Sequence, residues 1–242
     1  MESKRTATSP INTHATHTRL FKLIGSLFKP HPWHGLEVGP KAPHVVTAYV
    51  ECVPGEGLKY EVDKPSGYLH VDRPHKFSSL CPTIYGFIPQ TVRQYAAHSI
   101  NAGVSALDAP IPGDNDPMDI CVLSYRAITR GDLTMQVRPI GGFRMIDKGE
   151  ADDKILAILQ GDAMMSTWND IHDVPASLLS MIKHYFITYK QDPDAGKKIE
   201  VTIPEIYGRE EAYAVWVVCL IGSQVIKASM DDYADQYKVY VP

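Results

Sequence analysis

Three carboxylates are crowded into the six residues Asp114-Asn115-Asp116-Pro117-Met118-Asp119. Their mutual repulsion is hard to accommodate unless a cation sits among them, and an all-oxygen donor set selects a hard metal. The apolar run Ile120-Cys121-Val122-Leu123 follows directly, so the acids stand at the mouth of a strand and not along a solvated helix. An isolated Asp-x-Asp is more often a surface turn, so the motif has to be tested against alternatives. An EF-hand loop opening at Asp114 needs Gly at its sixth position and an acid at its twelfth, where this chain has Asp119 and Tyr125. A phosphatase using the first Asp as nucleophile needs a hydrophobic strand before it. Here Ala109-Pro110-Ile111-Pro112-Gly113 precedes it, which no central strand tolerates.

A second acidic cluster, Asp147, Glu150, Asp152 and Asp153, ends in Lys154 before another apolar run. Two such clusters at strand ends point to a multi-metal site, which bridges cations about 3.5 to 4 Å apart and lowers the pKa of a shared water toward ~7. Hydroxide is then available as a nucleophile at neutral pH. Glu150 and Asp153 are expected to be solvated acids.

The elements that must position these groups are mostly strands. Candidates run over Val45 to Val53, Lys59 to Asp63, Tyr68 to Arg73, Ile84 to Ile88, Asp119 to Leu123, Leu133 to Ile140 and Lys154 to Leu159, with Gly and Pro turns between. Period-2 alternation puts Lys59, Glu61 and Asp63 on one face, with Tyr60 and Val62 on the other. Helices come late. Asp173 is read as the cap of one with Pro175 in its first turn and Leu178, Ile182, Tyr185, Phe186 and Tyr189 on one stripe. A second starts near Arg209 and includes Ala212, Val215, Trp216 and Leu220. The expected fold is α+β and mainly β: a small closed OB-like five-stranded barrel, flanked by two C-terminal helices and extra hairpin strands.

The chain has 242 residues, 44% of them apolar, enough for one substantial core. A net charge of -4 excludes a nucleic-acid binder that relies on a basic surface, so any anion is met locally. Cys52, Cys81, Cys121 and Cys219 form no CxxC and read as free thiols. No apolar run reaches the roughly 18 to 20 residues of a membrane-spanning helix. Residues 1–36 form a basic extension, Lys4, Arg5, Arg19, Lys22 and Lys29 against Glu2, read either as a targeting segment or as a tail that docks on the core. A short amphipathic turn falls at Leu20 to Phe28, and His31-Pro32-Trp33-His34 is expected to pack on the barrel.

From Pro32 to Tyr213 the chain resembles the family I soluble inorganic pyrophosphatases. The signature Asp-x-Asp-Pro-x-Asp stands at Asp114 to Asp119. Around it, in order, are Leu58 to Lys64, Val71-Asp72-Arg73, Tyr85-Gly86-Phe87-Ile88-Pro89, Arg138 to Gly142, Asp147 to Lys154 and His184 to Lys190. His31 to Gly35 and Ala151 to Ile155 are similar to a subgroup that includes chlamydial and some protist enzymes. Asn115 departs from the Gly often seen there, and the loop Val92 to Gly113 is longer than in compact bacterial members.

The resemblance implies hydrolysis of pyrophosphate to two phosphates by metal-activated water, in a catalytic domain spanning 37–242. It assigns Asp114, Asp119 and Asp152 to activating metals, Asp147 to a substrate-loaded metal, Glu51 and Glu61 to outer metal contacts, and Asp116 to the general base. Lys59, Arg73, Tyr85, Lys154, Tyr189 and Lys190 match the phosphate-binding positions. Magnesium is the implied cofactor, several ions per site, with Mn2+, Zn2+ or Co2+ as substitutes. The implied setting is a cytoplasmic homo-oligomer, or an organellar one (mitochondrion, plastid or acidocalcisome-like) if the extension is a targeting segment. The expected partner is pyrophosphate, with no nucleic acid and no membrane. Duller roles compete: Tyr189 as a core aromatic, Arg73 and Lys154 as local partners of Asp72 and Asp153. Competing functions are a metal-dependent hydrolase of short polyphosphates or nucleotides, and a catalytically dead metal-binding homologue. The chain has no Gly-rich phosphate loop followed by Lys and Ser/Thr.

Overall fold

A computed structural model describes residues 29–93, 111–192, 194 and 200–221. In chain order the strands are β1 Val46–Cys52, β2 Leu58–Val62, β3 Leu69–Pro74, β4 Ile84–Ile88, β5 Met118–Leu123, β6 Leu133–Asp147, β7 Glu150–Ala151, β8 Lys154–Leu159 and β9 Val201–Gly208. Helix α1, Ala176–Thr188, precedes β9, and α2, Arg209–Ile221, follows it. Strands β1, β4, β5, β8 and β6 hydrogen-bond in that order, and β6 pairs back onto β1, so the five close into a ring. The hairpin β2–β3 stands apart, while β7 and β9 extend β6.

Alternation along the ring strands sorts side chains onto two faces. On β5, Met118, Ile120 and Val122 join Val46, Ile88, Val137 and Ile155 in one core, which Val215 and Trp216 of α2 complete. Cys121 and Leu123 point the other way, into a second core with Leu156, Ile158 and the α1 stripe. Because β5 and β8 are apolar on both faces they can lie parallel, side by side, between two packed layers. The stripe falls as expected: Ile182, Phe186 and Tyr189 are buried, and Leu178 and Tyr185 pack against them. Burying Ile182 and Phe186 stabilises the docking of α1 by roughly 1.5 to 3 kcal/mol each.

Three details differ from the sequence reading. Strand β6 does not stop at Ile140. It passes a bulge between Pro139 and Gly141 and continues to Asp147. Strand β9 was not expected, because Pro204 lies within it. Among the described residues it pairs only with β6, and a register shift falls near the proline, so the missing N–H is tolerated. Asp173 does not cap α1, whose N-cap is Pro175 with no side-chain bond. It belongs instead to a 3-10 turn, where its carboxylate accepts the Asn169 and Asp170 N–H groups in a capping box with Asp170. Among the described residues no helix is long and apolar enough to cross a membrane. The turn read at Leu20 to Phe28 lies outside the described residues, as do positions 94–110 of the long loop and the Leu220 side chain.

Ring closure depends on Gly86. A Cβ there would stand 1.8 Å from the Tyr49 carbonyl oxygen on β1. Gly86→Ala is therefore expected to destabilise the fold by about 3 kcal/mol or more through backbone overpacking. Urea denaturation measures this, and a midpoint at the wild-type value would mean that β1 and β4 are not held this closely.

Candidate active site

Register places the floor of the site before any side chain is considered. Asp119 lies opposite Phe87 of β4 on one side and Lys154 of β8 on the other, and Tyr85 lies opposite Cys52, next to Glu51. Alternation turns Asp119, Tyr85 and Phe87 away from the core that Ile120 and Ile88 occupy. The separate hairpin supplies a wall, with Lys59 and Arg73 in register across it and Glu61 two residues along β2. The unexpected length of β6 delivers Asp147, the β7–β8 connection delivers Asp152, and the end of α1 delivers Tyr189 and Lys190. The acidic loop closes the rim. Asn115 adopts φ 60°, a left-handed conformation that Asn tolerates better than most residues and that Gly would also supply.

Together these residues line a cavity of about 290 Å3. All thirteen residues singled out from the sequence face it: Asp114, Asp116, Asp119, Asp147, Asp152, Glu51, Glu61, Lys59, Arg73, Tyr85, Lys154, Tyr189 and Lys190. Tyr189 packs in the second core and also lines the cleft.

Every basic group in the cleft is already paired with an acid. Lys59 contacts Glu61 and, at 3.4 Å, Asp72. Lys154 contacts Asp119 and lies 2.6 Å from Asp152. Lys190 contacts Asp147, and Lys64, to which no role was assigned from the sequence, contacts Asp116. Arg73 pairs with Asp72, as its duller reading anticipated, but Lys154 does not pair with Asp153.

Burial raises the pKa of Glu51 to about 8, even though the Val62 N–H donates to its carboxylate at 2.9 Å, and the nearby Asp119 pushes the same way. Burial also opposes ionisation of Asp119, but the Lys154 ammonium and the Arg93 guanidinium outweigh it and hold that carboxyl well below its usual range. Asp152 ends on the other side of the balance: burial raises it, with Lys154 and Arg93 offsetting only part. Asp116 is raised by burial and by Asp114 and Asp119, with Lys64 opposing. A carboxylate tuned upward in this way is a better proton acceptor near neutral pH.

Two assignments need correction or addition. Asp153 is not a solvated acid. It is 2% exposed, accepts from Met145 N–H at 3.3 Å and the Tyr207 hydroxyl at 3.2 Å, and faces Arg144 in the core. Glu150 is exposed as expected. Arg93 was missed entirely. It lies buried beneath the acidic loop, with Nη2 2.6 Å from Asp114 and 2.7 Å from Asp152. Its only sequence signal was a lone cation at the start of a long loop. The His31 to His34 segment packs on the barrel as anticipated. Trp33 donates from Nε1 to the Thr91 carbonyl at 2.8 Å, packs against Tyr49 and Phe87, and also lines the cleft.

The donor set suits a hard divalent cation, being all carboxylate oxygen, and Asp147 Oδ1 is buried with no hydrogen-bond partner among the described residues. As they stand, no three acidic, His or Cys side chains among the described residues converge on a common point that could hold one.

A family model described as inorganic pyrophosphatase matches residues 48–220. The chain is 42% identical over 215 residues to the inorganic pyrophosphatase of Chlamydia caviae, an alignment covering 88% of this chain and 94% of that relative. It is 36% identical over 180 residues to the soluble inorganic pyrophosphatase of Zea mays, covering 74% of this chain and 75% of that one. The crystal structure of the Thermus thermophilus inorganic pyrophosphatase superposes with a TM-score of 0.65 at 31% identity, covering 78% of this chain and 97% of that one.

Proposed function

The chain belongs to the inorganic pyrophosphatase family and hydrolyses pyrophosphate to two phosphates, and from that premise we propose which of its residues do so and with what cofactor. Magnesium ions would be held by Asp114, Asp119, Asp152 and Asp147, with Glu51 and Glu61 as outer contacts, and would supply Lewis-acid charge that acidifies a water there. Asp116 accepts the proton of that water as general base. Lys59, Arg73, Tyr85, Lys154, Tyr189 and Lys190 hold the two phosphoryl groups.

The observation that carries this reading is the pairing inside the cleft. Lys59, Lys154 and Lys190 each rest against a carboxylate of the proposed metal-binding set. In the reaction they exchange that anionic partner for a phosphoryl oxygen, so the site meets its substrate with donors already in place. In-line attack moves negative charge onto the bridging oxygen, and buried cations near it stabilise that charge far more than solvated ones would.

Size favours a diphosphate over a nucleotide. About 290 Å3 lies at the low end of small-ligand sites, and the non-tyrosine aromatics of the wall, Trp33 and Phe87, are both buried, leaving little ring face for a base. In a panel of pyrophosphate, tripolyphosphate and ATP, pyrophosphate is expected to be turned over fastest. Chelation with EDTA is expected to remove the activity and excess magnesium to restore it. Turnover persisting in EDTA would rule out the metal assignment, and preference for ATP would rule out the substrate.

A further inference from the structure

Beneath the acidic loop lies a cation to which none of these roles refers. The Arg93 side chain is 2% exposed and does not line the cleft. Its Nε and Nη2 form a fork on Asp114 at 3.1 and 2.6 Å, and Nη2 also reaches Asp152 at 2.7 Å and Asp119 at 3.5 Å. Nη1 donates to the Asp153 carbonyl at 3.0 Å. Its main chain is tied to the same loop: the Arg93 N–H donates to the Asp116 carbonyl at 3.0 Å, and the Arg93 carbonyl accepts from Asn115 N–H at 3.0 Å. One guanidinium therefore touches all three acids assigned to the activating metals, and it is fixed at both ends.

We propose that Arg93 is a positioning residue acting as a resident counter-ion: it keeps Asp114, Asp119 and Asp152 assembled without metal and competes with a divalent cation for their oxygens. The inference rests on the pyrophosphatase reading only for the identity of the metal ligands. Three carboxylates this close cannot all stay ionised in a buried site without cations. Arg93 and Lys154 supply two, from below and from the side. They also occupy the space between the acids, which accounts for the absence of a ready-made cation cage among the described residues. The fork on Asp114 suits a planar guanidinium and fixes the carboxylate plane as well as its charge. Metal entering such a site gains less than it would in a bare acidic cluster, because the carboxylates are already partly neutralised.

The test is Mn2+ binding to the metal-stripped full-length chain by titration calorimetry, with no pyrophosphate present, in wild type, Arg93→Met and Arg93→Lys. Removing a like charge a few ångströms from the bound ion is expected to tighten Mn2+ binding about tenfold or more in Arg93→Met, while Arg93→Lys, which keeps the charge, stays within about threefold of wild type. The thermal midpoint of Arg93→Met is expected to fall in EDTA and to recover with Mn2+, since metal replaces the lost charge. Unchanged or weaker Mn2+ binding by Arg93→Met overturns the proposal, as does equal tightening in Arg93→Lys. A Met variant that fails to fold even with Mn2+ overturns it too, because a counter-ion can be replaced by metal and an indispensable packing element cannot. A wild type inactive on pyrophosphate would refute the functional reading while leaving this titration interpretable.

Discussion

Asp116→Asn is expected to keep the fold and to lower turnover on pyrophosphate by about 10^2- to 10^4-fold, the range for loss of a positioned general base. Asparagine matches the shape of the side chain and cannot take up the proton. The fold has little to lose, since the Asp116 side chain is 39% exposed and its pairing with Lys64, itself 56% exposed, lies at the rim. Pairs that solvated contribute about 0 to 1 kcal/mol. The anchoring contacts here are main-chain: Asp116 N–H to Asp114 Oδ1 at 3.0 Å and Arg93 N–H to the Asp116 carbonyl. Asparagine preserves both. Steady-state kinetics alongside thermal denaturation separates the outcomes, and near-normal kcat in a folded variant would remove Asp116 from the role of base.

Lys154→Met should act on both stability and turnover. The ammonium is buried between Asp119 and Asp152, and its Nζ lies 5.7 Å from the Phe186 ring centroid. Burial alone would lower its pKa, but Asp119 and Asp152 reverse that and hold it charged. Methionine fills the same channel without charge and leaves the two carboxylates with Arg93 as the buried cation between them. Breaking a buried ion pair from one side costs about 3 to 5 kcal/mol, so the metal-free variant should be less stable by that order. Saturating magnesium should recover much of the stability, since it answers the exposed carboxylates, and little of the turnover, since the phosphoryl contact is gone. Urea unfolding in EDTA and in magnesium, with kcat in the latter, tests each half. Wild-type stability in EDTA would show that this pair does not hold the acids together.

What could be read from the sequence was whatever local pattern encodes. The acidic loop announces itself within six residues, and its apolar continuation marks a strand, so Asp114, Asp116 and Asp119 were legible without any fold. Ile84–Ile88 and Lys154–Leu159 were found at their observed bounds because the short apolar stretches Ile84 to Ile88 and Ile155 to Leu159 leave few alternatives. Asp153 was misjudged for the opposite reason. Next to Asp152 in sequence, it faces the other side of the chain, toward Arg144 on the neighbouring strand β6 and toward Tyr207, 54 residues away, and no local pattern announces either pairing. Strand β9 was hidden by Pro204, which is acceptable only once β6 is known to be its single neighbour among the described residues. Arg93 was the hardest case. Its partners Asp114, Asp119 and Asp152 begin 21 residues away, and no periodicity links them. Only the closed ring brings them together.

The most direct test of the whole account is phosphate release by the purified full-length chain from pyrophosphate in magnesium. Two phosphates per pyrophosphate consumed are expected, at a rate far above buffer and lost on chelation. A rate equal to buffer, from folded protein that still binds magnesium, would contradict it.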